Sequence, residues 1–192
     1  MSAHITLSLG LTASLLIVSS LVVLPSNAQR VVATVAVGSS PGAIAYDSGM
    51  GEVFVAKDLG LGNVSIISDA TNSVVAGLRV GAYPSGLAYD SGKGEVFVVL
   101  ANDNHIPVIS DTMNRIVANV TVGNDISGLL GAAYDSTKGE IYVTWEGGTV
   151  IVVSDTTNSV VKSIEVGGHP SAWHTTKPRM RCSWSTSTVS SR

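Results

Sequence analysis

Three Asp–Glu pairs recur at one spacing and are the first residues that could do chemistry. In each pair the Glu follows the Asp by five positions: Asp47 and Glu52, Asp90 and Glu95, Asp135 and Glu140. Paired carboxylates occur in calcium sites and in acid–base catalysis. An Asp at the start of a turn also accepts hydrogen bonds from the backbone ahead of it. Because catalysis needs one pair and these recur in every unit, we predict turns and no catalytic residue.

The histidines and the single cysteine form no metal or haem motif. The sequence lacks His-x-x-x-His, His-Glu-x-x-His and Cys-x-x-Cys-His spacings. His105 and His169 are predicted to be loop residues, and Cys182 lies in the C-terminal tail. Gly60-Leu61-Gly62 is too short for a phosphate-binding loop and precedes a strand, not a helix. We therefore predict neither a metal nor a cofactor.

The composition predicts an all-β fold and disfavours nucleic acid as a partner. Apolar residues make up 45% of the 192 positions, mostly Val, Ile, Ala and Leu, and the 20 glycines suit tight turns between short strands. Only 13% of residues are charged and the net charge is −3, so no basic surface is available to attract phosphates.

The N-terminal segment is predicted to direct export. Ile5 to Leu24 contains no charge, and Pro25-Ser26-Asn27-Ala28 is suited to cleavage after Ala28. We expect residues 1–28 to be a signal peptide, with a retained membrane anchor as the alternative, because the apolar stretch is also long enough to span a bilayer. Either way, the rest of the chain is expected to be secreted or displayed at the cell surface.

Residues 29–171 consist of an internal repeat. The segment from Gly42 to Val55 returns from Gly86 to Val98 and again from Gly131 to Val143, and Asp47 and Asp90 are 43 positions apart. A second block, Ser-Asp-x-x-Asn, follows in each unit. Each unit has four strand candidates, which in the first are Ala43 to Tyr46, Glu52 to Ala56, Val64 to Ser68 and Val74 to Val80. Short turns between them predict four-stranded antiparallel blades with small residues on the innermost strand.

These residues resemble the YVTN-type β-propeller repeat family of archaeal and bacterial surface-layer-like proteins. Ile141-Tyr142-Val143-Thr144 is similar to the tetrapeptide that gives the family its name, and Pro84-Ser85-Gly86-Leu87-Ala88-Tyr89-Asp90 is similar to the approach to its first strand. The resemblance implies a β-propeller. It implies no single activity, since the family shares a scaffold.

The propeller is predicted to be incomplete, with about three blades and a closing strand. Val31 to Val37 aligns with a fourth strand and would complete a final blade, whereas closed propellers have at least four blades. Residues 172–192 lose the repeat. With one base restored before Ala172, their codons permit the next blade, so we interpret them as a frameshifted tail of a longer parent.

The loops that differ between units are the predicted binding surface. Antiparallel alternation places the loops between second and third strands on the same rim as the connections between blades. The candidate residues are Tyr83, Asp103, Asp125, Trp145 and Glu146. Asn63-Val64-Ser65 and Asn119-Val120-Thr121 are formal glycosylation acceptors at Asn63 and Asn119.

Three functions are compatible with this pattern. The leading hypothesis is a non-catalytic secreted or surface scaffold that binds a protein or a glycan at the rim. The alternatives are a metal-dependent lactonase-like propeller enzyme and a truncated fragment without function. Small apolar residues on the innermost strands favour the scaffold, because an enzyme would need a cluster of polar ligands there.

Overall fold

Twelve short strands form in the described part of the chain, where β-branched runs alternate with Gly- and Asp-containing turns. The computed structural model describes residues 30–57, 61–124, 127–168 and 170. The strands are β1 (Pro41–Asp47), β2 (Glu52–Lys57), β3 (Asn63–Ser68), β4 (Ser73–Arg79), β5 (Pro84–Asp90), β6 (Glu95–Leu100), β7 (His105–Ser110), β8 (Arg115–Thr121), β9 (Leu129–Asp135), β10 (Glu140–Trp145), β11 (Thr149–Ser154) and β12 (Ser159–Glu165).

The strands pair into three antiparallel sheets, or blades, each in simple sequential order. Blade 1 is β1-β2-β3-β4, blade 2 is β5-β6-β7-β8 and blade 3 is β9-β10-β11-β12. The three sheets lie in a unit that begins at Ala33; of the preceding unit the structure describes Arg30–Val32, which form no strand. The prediction of an all-β fold made of four-stranded antiparallel blades is confirmed.

A bulge that the sequence pattern did not predict recurs between the third and fourth strands. The register shifts between Ile66 and Ile67, between Val108 and Ile109, and between Val152 and Val153. In blade 1 this leaves Val74 and Val75 both exposed, at 44% and 51%, before regular alternation resumes at Ala76. A bulge leaves one extra residue unpaired, so two neighbouring side chains need not face opposite sides.

Hydrophobic residues of adjacent blades meet in two layers. Between blades 1 and 2, the fully buried Phe54, Val64 and Ile66 pack in one cluster with Val96 and Val98. Between blades 2 and 3, Phe97, Ile106 and Val108 occupy the equivalent positions and cluster with Ile141 and Val143. The equivalent residues repeat because each blade presents one face to the next blade.

The first strands of successive blades lie side by side at the inner edge of the sheets. Ser85 Oγ on β5 donates to the main-chain oxygen of Leu129 on β9 at 2.8 Å. A side-chain carbon added at Gly86 would lie 2.9 Å from Gly131 Cα, closer than such atoms approach. Glycine at this position is therefore required by the contact between the two backbones.

Val31 to Val37 form no strand in the described structure, and the final blade that they were predicted to complete is not among the described residues. Each of the three sheets already has its own fourth strand, so none of them lacks a strand for this segment to complete. The predicted signal segment 1–28 and the tail 172–192 lie outside the described residues. No helix in the described ranges is long and apolar enough to span a membrane.

Candidate binding rim

The loops after the second strands and the connections between blades share one edge of the sheets and are joined by backbone hydrogen bonds. The nitrogen of Ala101 donates to the oxygen of Tyr83 at 2.8 Å, and that of Gly128 to the oxygen of Ala101 at 2.6 Å. The nitrogen of Glu146 then donates to the oxygen of Gly128 at 2.9 Å. We call this edge, which runs from Tyr83 through Asp103 and Trp145 to Glu146, the binding rim. These bonds link the loops of blades 2 and 3 to the connections that lead into these two blades.

Tyr83 occupies an unusual backbone conformation on the rim. Its φ of 54° lies in the left-handed region, which costs a residue with a β-carbon about 1–2 kcal/mol. The hydrogen bond that its carbonyl accepts from Ala101 fixes this conformation. The side chain is 45% exposed, so an aromatic ring is held on the surface at a strained position. Ser40, at the equivalent position before β1, has φ of 50°, so this conformation recurs at the start of a blade and does not single out Tyr83.

The side chains of Asp103 and His105 form a local hydrogen bond on blade 2. Asp103 Oδ1 lies 3.0 Å from His105 Nδ1 and also accepts from the His105 backbone nitrogen at 3.1 Å. Both side chains are nearly half exposed. The prediction that His105 is a loop residue is wrong, because it begins β7 and pairs with Thr121. His169 lies outside the described residues.

Trp145 and Glu146 are placed by neighbouring glycines on blade 3. Trp145 closes β10 opposite Thr149, and its Nε1 donates to the oxygen of Ser127 at 2.7 Å. The indole packs on Gly147, where an added side-chain carbon would lie 3.0 Å from the ring. Glu146 covers Gly128, whose φ is 85°. The tryptophan is thus oriented by contacts with two loops.

The rim therefore combines two aromatic side chains with two carboxylates. Tyr and Trp offer an apolar ring together with a hydrogen-bonding group, and are preferred on binding surfaces. Carboxylates accept hydrogen bonds from hydroxyl and ammonium groups. Asp125 lies outside the described residues, so the structure brings together Tyr83, Asp103, Trp145 and Glu146 only.

The predicted glycosylation acceptors lie inside strands and not in loops. Asn63 begins β3 opposite Lys57 and Arg79, and Asn119 lies in β8 opposite Pro107. Asn63 is partly buried, whereas Asn119 is exposed. A glycan attached at either asparagine would have to project from a β-strand.

The opposite edge, which we call the turn edge, consists of the turns that follow first and third strands. As predicted for turns, Oδ1 of the first-turn Asp accepts a backbone N–H two residues ahead: from Gly49 to Asp47 at 2.7 Å, from Gly92 to Asp90 at 2.8 Å, and from Thr137 to Asp135 at 2.8 Å. The following glycines, Gly51, Gly94 and Gly139, all have φ near 67°. The turn role of these carboxylates is confirmed.

The second turn differs in part from the Asx-type turn that its Ser-Asp-x-x-Asn sequence predicts. Its aspartates accept tyrosine hydroxyls: Asp69 from Tyr46 at 2.9 Å, Asp111 from Tyr89 at 3.5 Å and Asp155 from Tyr134 at 3.3 Å. Asp111 Oδ1 also accepts the backbone N–H of Thr112 at 2.5 Å. The serine accepts the turn N–H, as Ser110 does from Met113 at 3.4 Å. The Asn of each turn has φ near 50°, in the left-handed region. Sequence reasoning missed these tyrosines, although the repeated Tyr-Asp dipeptide signals them.

In the described ranges, no group of three or more His, Cys, Asp or Glu side chains is arranged to hold a metal ion.

Comparisons with known proteins support the fold. No family model matches the chain, and no curated protein matches it. Kuenenia stuttgartiensis hydrazine synthase is similar in structure, with a TM-score of 0.60 and 18% identity, and the match covers 68% of this chain and 37% of that one.

Two further solved structures are similar to the same extent. U3-55K matches with a TM-score of 0.58 and 15% identity, covering 67% of this chain and 40% of that one. The WD40 repeats of RRP9 match with a TM-score of 0.57 and 14% identity, covering 65% and 38%. The chain thus spans less than half the length of these three structures. It has an all-β fold of three four-stranded, propeller-like blades.

Proposed function

We propose that this protein is a non-catalytic binding scaffold, secreted or displayed at the cell surface, that contacts a protein or glycan through the binding rim. The observation that supports this most is the continuity of the rim. The loops of blades 2 and 3 and the connections that lead into these blades are joined by backbone hydrogen bonds between Tyr83, Ala101, Gly128 and Glu146. Sites of this breadth suit extended partners, because each blade contributes a separate contact to one surface.

The chemistry of the rim supports the same proposal. The Tyr83 ring is exposed and its backbone is fixed, so little conformational freedom is lost when a partner packs on it. Asp103 and Glu146 add acceptors for hydroxyl groups on either side. On the innermost strands, the close approach of Gly86 to Gly131 leaves no room for polar side chains at that contact.

The repeat motif and the N-terminal segment support two finer parts of the proposal. We assign the chain to the YVTN-type propeller proteins on the strength of Ile141-Tyr142-Val143-Thr144 and its variants. The proposal that the chain is exported rests on the uncharged stretch from Ile5 to Leu24.

The test is binding of the full chain to an array of neutral and amino-sugar oligosaccharides. Tyr83→Asn removes the ring, while Asn tolerates the left-handed conformation. Met113→Ser removes a side chain of similar exposure, 51%, from the turn edge and serves as the control. We expect at least a tenfold loss of affinity for Tyr83→Asn, as for removal of an aromatic anchor, and no loss for Met113→Ser. Equal affinity of the two variants would exclude the rim as the surface that binds these oligosaccharides.

A further inference from the structure

Each blade has one face that receives the preceding blade, which we call its incoming face. On blade 2 this face includes Leu87, which is 7% exposed and packs in one cluster with Phe54 of blade 1. The equivalent residue of blade 1 is Ile44, which has the same place in the register of its first two strands. Ile44 is 66% exposed. The incoming face of blade 1 is thus apolar, and none of the three described blades covers Ile44.

The tyrosine on the same strand repeats this difference. Tyr89 Oη lies over the first turn of blade 1, where a side-chain carbon added at Gly49 would lie 3.0 Å from it. The equivalent tyrosine of blade 3 lies over blade 2 in the same way. Tyr46 also donates to an Asp of its own blade, Asp69, at 2.9 Å, but its side chain is 54% exposed. Tyr46 therefore belongs to the incoming face of blade 1 and has the hydrogen bond of an internal junction.

Residues 33–37 lead into blade 1 with the geometry of a fourth strand. Gly38 follows them as Gly81 follows β4, and both glycines have positive φ, of 99° and 123°. At both, an added side-chain carbon would meet the last residue of the second strand that follows. Val35 and Val37 are partly buried and alternate with exposed residues, as in the second half of β4.

Residues 33–37 lack the third strand with which a fourth strand pairs. In every described blade the fourth strand pairs antiparallel with the third. No backbone hydrogen bond joins residues 33–37 to another described residue. The described third strands, β3, β7 and β11, already have fourth strands of their own. A strand that pairs with residues 33–37 must therefore come from outside the described blades.

We propose that residues 33–37 and the incoming face of blade 1 form an acceptor site for another polypeptide, which presents a three-stranded β-sheet with a free third strand. The third strand pairs with residues 33–37, and the face of the sheet packs on Ile44. A small residue in its first turn leaves room for the Tyr46 hydroxyl. In such strand addition, backbone hydrogen bonds supply affinity and alternate side chains supply specificity.

A second copy of this chain does not fit the site. The blade that it would present is blade 3, which already has β12 in the place that residues 33–37 take beside blade 1. The two internal junctions define the side chains that the partner needs instead. Its second strand supplies an aromatic ring, as Phe54 and Phe97 do, and its third strand supplies β-branched residues, as Ile66 and Val108 do.

The test uses a synthetic probe, residues 84–112 with a fluorophore, which comprises β5, β6 and β7 without β8. These strands normally adjoin residues 118–122, which read Ala-Asn-Val-Thr-Val, and residues 33–37 read Ala-Thr-Val-Ala-Val. The full chain is titrated into the probe, and fluorescence anisotropy gives the Kd.

Two kinds of variant test the two halves of the site. Ile44→Lys places a charge on the incoming face, and Val75→Lys, at an outer-strand site that is 51% exposed, is its control. Thr34→Pro and Val35→Pro test the strand pairing. Adjacent N–H groups of a strand point to opposite sides, so one of the two prolines removes a donor that faces the probe.

We expect saturable binding by the wild type and Val75→Lys, and at least about tenfold weaker binding by Ile44→Lys, because a charge buried without a partner is costly. At least one proline variant should also bind more weakly. Failure of the wild type to bind would overturn the proposal, as would equal binding by Ile44→Lys and Val75→Lys, or unchanged binding by both proline variants.

Self-association of the chain provides a further test. Concentration-dependent dimerisation of the wild type that Ile44→Lys abolishes would mean that a second copy covers the incoming face, and would also overturn the proposal. Tyr83→Asn should bind the probe as the wild type does. The outcome is therefore independent of the proposal for the rim.

Discussion

The turn edge and the binding rim differ in how closely their structure repeats from blade to blade. On the turn edge, three copies of one geometry are nearly superimposable: the Asp-to-backbone hydrogen bonds span 2.7–2.8 Å, and the Asn φ angles are 51°, 48° and 49°. On the rim, no two blades present the same side chains. Where every blade uses the same geometry, folding imposes it on all of them. Where the blades differ, folding does not fix the side chains, and they can be selected for binding a partner.

The strongest test of this contrast is the loss of a turn carboxylate. Asp90→Ala removes two hydrogen bonds from the turn backbone, donated by Gly92 at 2.8 Å and Lys93 at 3.2 Å, and leaves both groups partly buried. We expect a loss of about 2–3 kcal/mol in the free energy of unfolding, measured in urea. A loss below about 0.5 kcal/mol would show that the turn does not depend on its Asp.

Substitution of a turn glycine should lower the free energy of unfolding by a smaller amount. Gly94 has φ of 67°, and a side-chain carbon there would lie 2.4 Å from Asp111 Oδ2. Gly94→Ala should cost about 1–2 kcal/mol, from the left-handed conformation alone. Displacement of Asp111 adds to that cost. Gly77→Ala is the matched control, because an added carbon there meets nothing within 4 Å. Equal midpoints for the two variants in thermal or urea unfolding would contradict the structural account of the turn.

The equivalent Asp substitution on the rim should matter less to stability. Asp103→Ala removes the side-chain hydrogen bond with His105 at 3.0 Å and one hydrogen bond from the His105 backbone nitrogen. Exposed pairs contribute little, so we expect a loss below about 1 kcal/mol in urea unfolding. A loss as large as that of Asp90→Ala would remove the distinction between the edges.

The smallest expected change in the free energy of unfolding is that of a substitution at Tyr83. Tyr83→Gly relieves the left-handed strain but increases the entropy of the unfolded chain, and these effects nearly cancel. We expect the free energy of unfolding to stay within about 0.5 kcal/mol of wild type. Oligosaccharide binding should fall as in Tyr83→Asn. A large loss of stability would mean that the ring supports the fold.

Much of the fold could be predicted because period and pattern are local properties. The predicted strand from Ala43 to Tyr46 lies within β1, and the Asp turns were recognised from Asp and Gly alone. The bulge at Ile66–Ile67 and the crossing of Tyr89 to blade 1 were not predicted, because both depend on how neighbouring strands and blades meet. The segment from Val31 to Val37 has a strand pattern, yet a pattern cannot supply the neighbouring strand that pairing requires.

The rim was predictable only in part. Alternation of strands placed Tyr83, Asp103, Trp145 and Glu146 on one edge, but sequence could not show the backbone bond from Ala101 to Tyr83 or the left-handed φ of Tyr83. Both depend on loop geometry. The hydrogen bond between the Asp103 and His105 side chains likewise could be predicted only if the start of β7 were known.

The close approach of Gly86 to Gly131 has a consequence for how such a chain can change over evolutionary time. The contact between inner strands there joins backbone to backbone, with Ser85 donating to a main-chain oxygen. A main-chain partner is the same whatever its side chain, so a duplicated blade inserted by recombination would meet its neighbours without new complementary mutations. Growth and loss of whole blades should therefore be tolerated more readily than changes within one.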